Sequence, residues 1–95
     1  MQVIRSFGNA ATGRLWSRQR SPELDPRIER VALRKLVMLD AAEVLDDLRV
    51  PPGNRLEALR GERARQHSIR INQQWRVCFV WTDAGAENVE IVDHH

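Results

Sequence analysis

GNRLEALRGERARQHSIRINQQWRVCFVW, residues 53–81, is the stretch that decides the fold. It opens with a basic, glycine-containing loop and then alternates. Ile69 and Ile71 share one face of an extended segment, and Arg70 and Asn72 share the other. Asn72-Gln73-Gln74 predicts a tight turn, because Asn tolerates the positive φ that hairpin turns use. Trp75, Val77, Phe79 and Trp81 then share one face of a second strand, with Arg76, Cys78 and Val80 on the reverse. The hairpin this implies puts Arg70 beside Arg76, on adjacent strands and away from the core. Two arginines on rigid strands, next to a loop carrying Arg60, suggest a phosphate site.

The totals set the frame. Ninety-five residues fit one domain over 1–95, burying about two-thirds of its unfolded surface. A hydrophobic content of 42% argues against disorder. No apolar run approaches the roughly 20 residues of a membrane span, and the N-terminus lacks the apolar core of a signal peptide. The single cysteine, Cys78, excludes an internal disulfide and fits a reducing cytoplasm. Net charge is only +2, yet it is segregated. Residues 55–76 carry six basic and two acidic side chains, whereas 77–95 carry four acids and no Lys or Arg. Lys35 is the one lysine among 15 basic residues. Arginine grips phosphate with a planar fork, although an arginine bias also follows from a GC-rich genome.

Outward from the hairpin, Val3 to Phe7 reads as a first strand, followed by Gly8-Asn9. Asn9 caps a helix anchored by Leu15 and Trp16 and expected to stop near Ser21-Pro22. A second helix starts at Asp25-Pro26 and ends around Ala41 or Ala42. Ile28, Val31, Ala32, Lys35, Leu36 and Leu39 mark its inner face. Its outer face carries Arg27, Arg30 and Arg34, which in most proteins would simply be solvated. Glu43 to Arg49 predicts a helical turn with Leu45 and Leu48 inward. Pro51-Pro52-Gly53 breaks the chain, and Asn54 to Leu59 predicts a short extended segment. Asp83-Ala84-Gly85 marks a turn before a last strand through Val89, Ile91 and Val92. The fold class is α+β, with two N-terminal helices packed on a small antiparallel sheet.

No glycine-rich nucleotide loop and no strong metal spacing occurs. Asp93-His94-His95 contains ligand types, but neighbours on a strand point to opposite faces. We expect no metal and no cofactor. RNA cleavage requires neither. The ribose 2′-hydroxyl attacks the adjacent phosphate when a base takes its proton, cations hold the developing charge and an acid protonates the leaving 5′-oxygen. Glu57, Asp93, His94 and His95 are the proton carriers available, and Arg60, Arg70 and Arg76 the cations. Singly, each has a plainer reading: Glu57 as an ion-pair partner, the terminal histidines as a frayed end. Cys78 reads as a small buried filler.

Four linked blocks carry a resemblance. Gly53 to Gly61, His67 to Asn72, Gln74 to Phe79 and the ending Val89 to His95 are together similar to the HigB toxins of the RelE/ParE superfamily. Val3 to Phe7 fits the first strand of that family. The resemblance spans essentially the whole chain. It implies a compact RelE-like fold and a bacterial toxin that enters the ribosomal 30S A site and cuts mRNA during translation without a metal. It also implies a HigA-like antitoxin, through which alone the toxin meets operator DNA. Arg60 matches the basic residue of the loop, often lysine in relatives. Arg76 matches the arginine expected to hold the scissile phosphate. Asp93 and His95 match the ends of an Asp-Tyr-His terminus, with His94 standing where tyrosine is usual. Glu57 stands where one branch of the family has histidine.

The implied catalytic set is therefore Glu57, Arg60, Arg76, Asp93, His94 and His95. Glu57 or His95 would serve as base, His95 or His94 as acid, and Asp93 would orient a histidine. Arg55, Arg63, Arg65 and Arg70 are expected to bind the RNA phosphates. Two other readings stay open: a ParE-like inhibitor of DNA gyrase, and a derivative that binds ribosome or antitoxin without catalysis.

Overall fold

A computed structural model describes residues 3–93. His94 and His95, two of the expected catalytic residues, lie outside the described residues. The elements in chain order are helix α1 (Ala10–Trp16), helix α2 (Glu29–Ala41) and strands β1 (Glu57–Ala58), β2 (Gln66–Arg70), β3 (Trp75–Thr82) and β4 (Gly85–Asp93). The four strands form one antiparallel sheet in sequence order. Helix α1 contacts β4, and α2 contacts β3 and β4, so the α+β expectation holds.

The β2–β3 hairpin pairs as its alternation predicts. Ile69 lies opposite Val77, and Arg70 lies opposite Arg76. Ile69, Val77, Phe79 and Val89 are fully buried on the helix side, with Ile71 and Ile91 beside them. Trp75 and Trp81, at the strand ends, are only partly buried against this core. The turn differs in its cause. Asn72 is not among the residues with positive φ. Its side-chain Oδ1 instead accepts from the backbone N–H of Gln74 and of Trp75, both at 2.8 Å.

Helix α2 follows its spacing. Asp25 accepts from the backbone N–H of Arg27, a single 3-10 turn spans Pro26–Ile28, and Ile28, Ala32, Leu36 and Leu39 are buried. In the 3-10 turn before it, the outward Arg27 pairs with Asp25 at 2.9 Å. Helix α1 is shorter than expected. It ends at Trp16 rather than near Pro22, because Arg18 turns left-handed at φ 64° and its backbone N–H closes onto Leu15. Asn9 does cap it, and the Thr12 hydroxyl then accepts from the backbone N–H of Ile91 at 2.8 Å, fastening α1 to β4.

The expected first strand is an extended segment that runs parallel to the outer edge of β4, bridging Ile4 to Ala86 and Phe7 to Val89. It covers an edge that would otherwise expose unpaired backbone groups. The approach is close: a Cβ on Gly85 would sit 2.2 Å from the Val3 carbonyl oxygen. The loop before β1 has a structural role that its sequence hides. Asn54 is fully buried. It accepts from Lys35 Nζ and donates to the carbonyl oxygens of Leu48 and Val50 at 3.1 and 3.4 Å.

Candidate functional site

The reverse face of the sheet, away from the helices, carries a row of polar residues. Glu57 on β1 lies opposite Ser68 on β2, Ser68 opposite Cys78 on β3, and Cys78 opposite Glu90 on β4. The next row is Arg70, Arg76 and Val92. This is the face on which alternation puts every second residue of β2 and β3. A bulge in β4 keeps Glu90 in the row. Cys78 faces Glu90 but Val80 faces Glu87, so β4 spends one extra residue there, at Asn88 with φ 53°.

Arg76 is the centre of the arrangement. Its side chain is only 14% exposed, against 55% for Glu57. Nη1 donates to Ser68 Oγ at 2.8 Å and lies 3.5 Å from Glu57 Oε1. Ser68 is fully buried, so the guanidinium is seated on the sheet rather than swinging free. Arg70 sits directly across the ladder, and its Nε donates to the Asn72 carbonyl at 3.0 Å. Two cations therefore share one surface beside a carboxylate that forms an ion pair with one of them. This can hold a phosphate and present a proton acceptor next to it.

The other expected residues divide. Arg60 is exposed in the connection between β1 and β2, just before a 3-10 turn at Gly61–Arg63. Arg65 ends that connection, exposed and left-handed at φ 77°. Arg55 is exposed and left-handed beside the buried Asn54. Arg63 differs from all of these. Its Nη1 donates to Glu90 Oε1 at 2.7 Å and to Gln66 Oε1 at 3.0 Å. Asp93 lies opposite Trp75, and ladder alternation puts it on the face away from Arg76. There it accepts from Gln74 Nε2 at 3.1 Å.

Ser68, Gln66 and Glu90 are the members that sequence reasoning missed. The alternation of Gln66, Ser68 and Arg70 could have found the first two. Cys78 is 2% exposed, and burial pushes its thiol upward, with Arg63 opposing and Glu90 reinforcing the shift. His67 falls on the opposite face, stacked on Phe79 at 6.3 Å between ring centroids. Among the described residues, no group of three or more His, Cys, Asp or Glu is arranged to hold a metal ion. Nor is any helix among them long and apolar enough to cross a membrane.

Comparison with known proteins gives the family of the chain. Residues 5–95 match the family described as the RelE-like toxin of type II toxin-antitoxin system HigB. The chain is 48% identical to Toxin HigB-1 of Vibrio cholerae serotype O1 over 67 residues, 70% of each chain. It is 33% identical over 72 residues to an uncharacterized protein of Haemophilus influenzae, covering 76% of this chain and 71% of the relative. A chain with this sheet, this match and a toxin among its relatives belongs to the HigB family of RelE-like toxins of type II toxin-antitoxin systems.

Proposed function

We propose that this toxin, acting as a single domain in the cytoplasm, is a ribosome-dependent mRNA endonuclease. It cleaves mRNA in the 30S A site, stops translation and is neutralised by a HigA-like antitoxin. The observation that carries this reading is the pairing of Arg70 with Arg76 beside Glu57 on one rigid sheet face. Arg76 and Arg70 hold the scissile phosphate, and Arg60 adds charge from the neighbouring loop. The 2′-hydroxyl attacks the phosphorus and gives its proton to Glu57 or His95. The leaving 5′-oxygen takes a proton from His95 or His94. The arginines stabilise the charge that builds on the phosphoryl oxygens, and no metal enters the reaction. Asp93 orients a terminal histidine. Arg55 and Arg65 meet RNA phosphates further along the strand.

Few strong bases surround the phosphate site, which fits a ribosome that supplies substrate alignment. Weak cleavage of free RNA follows from the same point. The antitoxin partner implied by the family would meet a surface rich in arginine, so acidic segments on it are favoured.

The test is an in vitro translation reaction on a defined mRNA, with 5′ ends mapped with and without the protein. Arg76→Ala and a chain ending at Val92 serve as controls. New ends at codons, dependent on ribosomes and lost in both variants, are the expected result. Intact mRNA with normal translation sinks the reading. Ribosome binding without cleavage would point to a non-catalytic derivative, and inhibition of gyrase to a ParE-like activity.

A further inference from the structure

The connection between β1 and β2 has little to hold it by itself. Beyond Leu59, whose N–H donates to the Gln66 carbonyl at 2.9 Å, it is a single 3-10 turn. It contains two left-handed residues, Gly61 at φ 67° and Arg65 at φ 77°. Arginine is an unfavourable choice there. Yet the sheet surface beside this loop is closed. Ser68 is fully buried and Cys78 is 2% exposed, although both point away from the helices. Arg76 lies on Ser68, donating to its Oγ at 2.8 Å, and Arg63 spans Cys78. From the loop next to β2 Arg63 reaches Glu90 on β4, two strand spacings away, or about 10 Å. Between those strands lies Cys78, the direct partner of both Ser68 and Glu90. The ion pair is partly shielded, with side chains 41% and 20% exposed.

We propose that Arg63 and Glu90 form a latch that docks the β1–β2 connection onto the sheet, closing it over Cys78 and fixing the position of the loop that carries Arg60. Arg63 and Glu90 are then positioning residues: Arg63 spends its guanidinium on the protein, not on RNA. Gln66 completes the latch by accepting from the same Nη1 at 3.0 Å. The role given to Arg60 rests on the endonuclease reading. The docking of the loop does not, because Cys78 reports it without any RNA.

Cys78 is the only cysteine in the chain, so alkylation by iodoacetamide at neutral pH measures how often the loop opens. Glu90→Gln and Arg63→Gln should each speed alkylation about ten-fold, as expected for losing a shielded, charge-assisted hydrogen bond. The two substitutions change the charge beside the thiol in opposite senses, since Glu90 raises its pKa and Arg63 lowers it. Acceleration in both therefore reports opening and not thiolate content. The double variant should react about as fast as either single, because one contact is lost once. No acceleration, or a double variant that multiplies the two effects, overturns the latch. Leu36→Val, in the core of α2 on the other side of the sheet, separates local opening from general destabilisation: it should lower the melting temperature without speeding alkylation, and acceleration in it equal to that of the latch variants overturns the latch.

In translation reactions, Arg60→Ala should cost less cleavage in the Glu90→Gln background than in the wild type. Equal costs in both backgrounds overturn the link to Arg60. If no cleavage occurs in the wild type, the endonuclease reading fails, and the alkylation result still decides the latch. Asp46→Asn, on the exposed pair with Arg49, is the control that leaves alkylation and cleavage unchanged.

Discussion

Arg70 and Arg76 face each other directly across the β2–β3 ladder, with no acidic residue between them in their row. Like charges in that position destabilise a sheet. Glu57 offsets part of this from β1, at 3.5 Å from Arg76. Under the proposed function, the pair holds positive charge in place for the RNA phosphate.

Arg70→Thr follows from that relationship. It removes the repulsion and puts a β-branched residue on a strand, so stability should rise by about 0.5 kcal/mol. The melting temperature should increase by roughly 2–4 °C. Ribosome-dependent cleavage should fall at least about ten-fold, the loss expected for one charge-assisted phosphate contact. Calorimetry and mapped cleavage on the same preparations check both. A variant that melts lower than the wild type contradicts the repulsion.

Asn54→Ala tests a residue outside the site. Asn54 is fully buried, and its side chain joins the half-buried Lys35 on α2 to the buried Leu48 carbonyl oxygen and to that of the exposed Val50. Truncation leaves the buried Leu48 carbonyl without its side-chain donor, at a cost of about 1–3 kcal/mol. Urea unfolding should show the midpoint shift with an unchanged slope. A shift of a few tenths of a kcal/mol or less would falsify the anchoring role.

Asn54 also marks where the sequence stopped being legible. Its neighbours Gly53 and Arg55 made the segment read as a solvent-facing basic loop, yet Asn54 is core. Local alternation was readable because it is local: Ile69-Arg70-Ile71 and Trp75 to Val80 set both faces and the Arg70–Arg76 pairing. The α2 stripe was readable for the same reason. The Arg63–Glu90 pair is 27 residues apart and depends on a bulge, so no short pattern encodes it. Serine opposite cysteine gave no hint that Ser68 would seat Arg76. The end of α1 was misjudged because Pro22 looked like the natural stop, whereas a left-handed Arg18 ends the helix earlier.

The bulge carries its own prediction. Asn88 sits at φ 53°, a conformation asparagine and glycine accept and β-branched residues resist. Its extra residue lets Ala86 and Val89, three apart, both reach the core. It also keeps Glu87 and Glu90 on the opposite face. Asn88→Val should cost about 1–2 kcal/mol, and Asn88→Gly should cost far less. Denaturant midpoints for the two variants check the order; equal midpoints would mean that the backbone there is free to change.

Cys78 gives a pH dependence with a definite sign. Burial raises its thiol above the ordinary value of 9.0, with Arg63 and Arg76 opposing and Glu90 reinforcing. The unfolded chain therefore releases the proton first as pH rises. Stability from the buried neutral thiol is complete below about pH 9 and is lost as pH climbs through the folded value. Lys35 acts in the opposite sense. Burial lowers its pKa, the folded protein loses that proton first, and stability gains as pH rises through the same region. The chain has no tyrosine and one lysine, so few other groups titrate there. Cys78→Ala removes the first effect and keeps the second. Urea unfolding from neutral pH to about pH 10.5 should show the wild type losing stability relative to Cys78→Ala only above about pH 9. A difference between the two proteins that stays constant across that range would mean the thiol titrates alike in the folded and unfolded chains.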